Sequence, residues 1–144
     1  MELTIFGRHR AEYQTLIAPF FAGWTVAAAP SGFDAILLKG NFTVHPAILA
    51  ASGQNEDFAQ QFPDTCIVTC GMSARDSVSC SSVTDTAAVV SIVRELPIIG
   101  GGFVEVQDIC LPLVRPLPAG RIALFAAACL CAGIPVSGFT QKHF

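Results

Sequence analysis

Up to Gly40 the apolar residues of this chain come in runs of about five or six, each cut short by glycine or proline, and that brevity constrains the fold more than any other feature. "ELTIF" (2–6) stops at Gly7, "WTVAAA" (24–29) at the turn signal "PSG", and "DAILLK" (34–39) at Gly40. Runs of this length suit strands buried in a sheet and are too short for a core helix or a membrane span. Between the first two, "RHRAEYQTLIAPFF" places Tyr13, Leu16, Ile17 and Phe20 at helical spacing. The chain therefore starts as strand, turn, helix.

"HPAILAASGQNEDFAQQF" (45–62) carries helix-like spacing with a weak centre at Ser52 and Gly53, which predicts two short helices closed by Pro63. "TCIVTC" (65–70) is the next strand. From there "DSVSCSSV" (76–83), "AAVVSIVREL" (87–96) and "FVEVQDIC" (103–110) read as strands in succession, the last two joined by a hairpin turn at "PIIGGG". "GRIALFAAACLCAGI" (120–134) makes a final helix, with Gly133 near its end and Pro135 beyond. The expected fold class is α/β: one domain over 1–144, a three-layer, partly parallel Rossmann-like sheet with an antiparallel β-meander extension.

Composition bears on partners. With 52% hydrophobic and only 13% charged residues, too few charges remain to cover a lone monomer, which predicts a homo-oligomer or a protein partner. A net charge of −3 without a basic stripe argues against nucleic acid. No stretch predicts a signal peptide or a membrane span, so a cytoplasmic protein with reduced thiols is expected.

The six cysteines raise the question of thiol or metal chemistry. Cys66 and Cys70 lie four apart on one strand, roughly 13 Å between Cα atoms, too far for a disulfide. Their spacing is wrong for a C-x-x-C zinc turn, and they share a face with Val68. Cys129 and Cys131 point different ways on a helix. Cys70 and Cys80 have Arg75 nearby but none of the three histidines, His9, His45 and His143, beside them in sequence. A structural role is expected for all six, and neither a metal nor a cofactor.

Two places carry candidate ligand chemistry. At "IFGRHRAEY" a strand feeds a helix N-terminus beside Arg8, His9 and Arg10, the setting of a modest anion site. One glycine there is not a phosphate-cradling loop, so the alternative is a solvated helix start. Asn41 and His45, flanking "FTV", are candidate ligand-binding residues. Glu56 and Asp57 suit a solvated helix face, Asp76 and Asp85 turn positions.

"DTCIVTCGMSARDSVSCSSV" (64–83), followed by "VEVQDICLPL" and "GRIALFAAACLCAGI", resembles the last part of the central domain of Mur ligases, the ATP-dependent amide-forming enzymes of peptidoglycan synthesis. Short bacterial Mur-like proteins are more similar still. The resemblance spans 34–134 loosely and 65–134 better. It implies a Rossmann-like fold, but the family's Gly-Lys-Ser/Thr phosphate loop is replaced by "GRHRAEYQ". Asn41 and His45 only echo the metal-associated segment, whose Asp is missing. The catalytic-lysine segment has no room before Cys66, and the nucleotide-holding His-Asn and Asn positions fall on "RIALFAAA". These departures imply a degenerate, non-catalytic domain that self-associates or binds a partner. The alternatives are a small-molecule or anion (nucleotide or phosphate) module at the first strand–helix turn, and a thiol or histidine enzyme.

Overall fold

The structure, a computed structural model, describes residues 1–53 and 57–135. The chain runs β1 (Glu2–Phe6), α1 (Arg10–Ile17), β2 (Thr25–Ala29), β3 (Ala35–Lys39), β4 (Ala47–Ser52), α2 (Phe58–Gln61) and β5 (Cys66–Gly71). It continues through β6 (Val78–Val83), β7 (Ala87–Ile92), β8 (Leu96–Pro97), β9 (Phe103–Val104), β10 (Gln107–Pro112) and α3 (Ala119–Cys131). His143 and Glu56 lie outside the described residues.

Eight strands form one mixed sheet in the order β10-β7-β6-β5-β4-β3-β1-β2. Pairing is parallel for β1–β2, β4–β5 and β5–β6, and antiparallel around β3 and around β7. Six strands therefore run one way, and β3 and β7 run against them.

Ala47–Ser52 is a strand, not the first of the two expected helices. Ile48 and Ala50 face one core while Leu49 and Ala51 face the other, so the run is apolar on both sides and its helical spacing is incidental. Among the described residues of that segment, Phe58–Gln61 alone is helical, capped by the Asp57 carboxylate. The hairpin turn expected at "PIIGGG" forms, but the two runs it joins are each broken into two strands. β7 pairs directly with β10, Ile92 opposite Gln107, while β8 and β9 form their own two-stranded ribbon around Gly100, Gly101 and Gly102, all at positive φ.

One face of the sheet carries the main core. Leu3, Ile5, Ile36, Leu38, Ile48, Val68, Val78, Val90 and Ile109 alternate toward α1 and α3, whose Ile17, Leu124 and Phe125 are fully covered. α3 is apolar on almost every side because it lies in this layer, and Arg121 is its sole charge. The opposite face is covered over β3, β4 and β5 by a smaller cluster. There Phe58 and Leu49 are joined by Phe6, Phe33 and Phe62, with neighbouring ring centroids 5.3–6.3 Å apart.

Cysteine burial follows the two faces. Cys70, Cys80, Cys129 and Cys131 are buried toward the main core and Cys66 is half-buried, but Cys110 is exposed on the far face of β10, contrary to expectation for a small core residue. Burial pushes the Cys131 thiol up to about 12 and holds Cys70 and Cys129 well above the ordinary thiol value. Such thiols are inert at neutral pH.

Candidate functional site

The register sets the site. Phe6 at the end of β1 pairs with Ala35 at the start of β3, and Ala35 pairs with Ala51 near the end of β4. The carboxyl ends of β1 and β4 thus flank the residue that enters β3, Asp34. From β1 the chain crosses to β2 at one edge; from β4 it proceeds to β5 on the other side. Such a divergence is where open α/β sheets accept ligands. A cleft of ≈ 250 Å³ opens here, lined by His9, Tyr13, Asp34, Ser52, Arg121 and Leu124 with Pro118 and Gly120.

Asp34 is the centre of the cluster. Its Oδ2 accepts a 3.1 Å hydrogen bond from the Tyr13 hydroxyl, and its Oδ1 has no hydrogen-bond partner among the described residues. Gly7 makes room for it: with φ +136 and a would-be Cβ only 2.3 Å from Asp34 Oδ1, no side chain fits there. The Asp34 carbonyl is held twice by Ser52, from the backbone N–H and from Oγ, both at 3.0 Å. Ser52 Oγ thereby spends its proton on the fold and keeps its lone pairs.

Tyr13 and Arg121 form the wall. Burial first, and then the Asp34 charge, push the Tyr13 phenol above its usual range, so at neutral pH it stays a proton donor to the carboxylate. Its ring lies edge-on to Phe125 at 5.3 Å, and the Arg121 guanidinium sits 5.0 Å from its centroid. Arg121 Nη1 donates to Glu12 Oε1 at 2.6 Å, a pair half open to solvent on the glutamate side, while Arg121 Nε is buried without a hydrogen-bond partner among the described residues.

The residues expected to bind a ligand separate into two places. His9 lines the cleft, but Arg8 is exposed on the turn and Arg10 donates to the Gly7 carbonyl at 3.0 Å, closing the turn. Asn41 and His45 follow β3 at the opposite end of the sheet. Asn41 borders a shallow depression with Glu2 and Lys39; His45, at φ +47, sets Nδ1 3.2 Å from the Ile98 carbonyl and its ring 5.2 Å from Phe103. They do not meet Arg8, His9 and Arg10. Among the described residues no group of three metal-ligating side chains converges.

Tyr13, Asp34, Ser52 and Arg121 escaped the sequence reading. The one available signal was Arg121, a lone charge in an otherwise apolar helix. Asp76 stands in the turn before β6, where a turn residue was expected, and is buried there, with Oδ2 accepting from the Ser73 N–H and packed against Gly71. No helix among the described residues is long and apolar enough to cross a membrane. Comparison with protein-family models, curated proteins and solved structures finds no match.

Proposed function

We propose that the chain is a non-catalytic α/β module that binds a small polar molecule in the cleft at the carboxyl ends of β1 and β4. The observation that carries this reading is Asp34: Tyr13 holds one carboxylate oxygen, Ser52 holds the backbone carbonyl, and Oδ1, without a hydrogen-bond partner among the described residues, borders a cleft. A carboxylate fixed through one oxygen and open through the other is an acceptor already oriented for a proton donor entering the cleft. The Mur ligase-like, three-layer Rossmann-like ancestry is part of the same proposal. It rests on the quoted motifs, and the missing phosphate-loop lysine and glycines are why ligation is not assigned.

The test is thermal unfolding of the whole chain with a broad panel of phosphate, sulfate, Mg-ATP, UDP-sugars, polyols and small amines. A ligand at about 100 times its dissociation constant stabilises by roughly 2.7 kcal/mol. Stabilisation that disappears in Asp34→Asn supports the reading; a panel without any stabilising member sinks it.

A second reading, self-association, is favoured by one observation at the other end of the sheet. Phe42, Val44 and Phe103 are 41%, 53% and 58% exposed, and Phe42 and Val44 lie against Gly100 and Gly101 of the β8–β9 ribbon. Light scattering on Phe42→Ser with Phe103→Ser tests it: an oligomer that becomes a monomer supports the reading, and a wild-type monomer removes it.

A further inference from the structure

The polar groups of the cleft are sorted by what they still lack. On the accepting side stand Asp34 Oδ1 and the lone pairs of Ser52 Oγ, whose proton is spent on the Asp34 carbonyl. Tyr13 spends its hydroxyl proton on Asp34 Oδ2. On the donating side stand the Arg121 guanidinium and the His9 ring, both of which line the cleft. Glu12 takes only Nη1 of Arg121. A single occupant that meets both sides must present a negative oxygen to Arg121 and a proton to Asp34.

We infer that the cleft takes an oxyanion carrying its own proton, inorganic phosphate or a small phosphate monoester, and turns away oxyanions that have none. This rests on the cleft being the binding site, as proposed above. A fully deprotonated oxyanion would bring its oxygen against the Asp34 carboxylate, charge against like charge. A P–OH in the same place converts that clash into an O–H···O⁻ hydrogen bond, the short and strong kind. Sulfate and phosphate diesters match phosphate in shape and anionic oxygens but hold no proton near neutral pH, so discrimination falls on Asp34 alone. Size narrows the class further. A cleft of ≈ 250 Å³ lies below the roughly 300–1,000 Å³ of sites for drug-sized ligands, which suits phosphate with a few added atoms and not a nucleotide.

The experiment is a titration of the whole isotope-labelled chain, followed by amide shifts, at pH 6 and matched ionic strength. The probes are inorganic phosphate, methyl phosphate, dimethyl phosphate and sulfate. At that pH a monoester retains its proton in about half of its molecules. Phosphate and methyl phosphate are expected to bind at least about tenfold tighter than sulfate and dimethyl phosphate, a fraction of what a fully buried polar site enforces. Tighter binding of methyl phosphate marks a monoester as the ligand, and tighter binding of phosphate marks the free ion. In Asp34→Asn the preference should vanish because sulfate now enters. Equal wild-type affinity for phosphate and sulfate overturns the inference, as does a preference that survives Asp34→Asn. If none of the four binds, the oxyanion class falls. The cleft itself then stands only if another member of the broad panel stabilises the protein in an Asp34-dependent way. The wild-type comparison needs no variant, so a poorly folding Asp34→Asn would not blur the result.

Discussion

The two ends of the sheet are built from similar materials and end up different. Each has a histidine beside an aromatic ring: His9 near Tyr13 at the carboxyl end of β1, His45 against Phe103 at the other end. At the first end the aromatic is tied into a network with Asp34 and Arg121 and rests on the buried Phe125. At the second the aromatic is more than half exposed, and the histidine side chain rests, among the described residues, against a backbone carbonyl and a ring. Polar groups held in place from several elements can select a ligand, whereas exposed apolar groups around a glycine turn can only offer area. What separates the ends is the layer beneath, since α1 and the start of α3 back the first and the short β8–β9 ribbon backs the second.

The largest effect expected from breaking this contrast is in packing. Phe125→Ala should destabilise by about 3–5 kcal/mol in chemical denaturation, since a fully buried phenyl ring leaves a cavity under Tyr13. Phe103→Ala should stay within about 0.5 kcal/mol. Comparable losses at both positions would erase the distinction between the ends.

Gly7→Ala should cost about 1–3 kcal/mol, because the backbone is at φ +136 and the new methyl would strike Asp34. It should also abolish any ligand-induced stabilisation; retention of both would mean that Asp34 is not fixed where described.

Alkaline pH probes the core that supports the cleft. Cys70, Cys129 and Cys131 have thiols raised by burial, so the folded state keeps protons that the unfolded chain loses above about 9. Stability from these groups is fully present below that value and is lost as pH rises toward about 12, the Cys131 value. The unfolding midpoint should fall over this window, and less steeply in Cys131→Ala. The smallest effect is expected for Glu12→Gln: the pair with Arg121 is half exposed, so about 0–1 kcal/mol is at stake and salt should reduce it.

What was legible in the sequence follows the same division. Strand runs ending at Gly7 and Gly40 and the apolar final helix are local patterns, and they stand where expected. "AILAAS" misled because burial on both faces removes the alternation that separates strand from helix. The cleft was half visible. His9 announces itself at a strand–helix turn, but Asp34 becomes its neighbour only through the β1–β3 pairing, and Arg121 arrives from the far end of the chain. Cys110 shows the same limit, because residue type says nothing of which face of β10 is left uncovered.

The most direct test of the cleft is a residue-resolved map of ligand-induced amide shifts across the whole chain, using whichever panel member stabilises it. Saturable shifts should gather at His9, Asp34, Ser52 and Arg121 and leave Asn41, His45 and Phe103 unmoved. Shifts centred on Asn41 and Phe103, with His9 and Asp34 silent, would contradict the assignment and make the other end of the sheet the functional one.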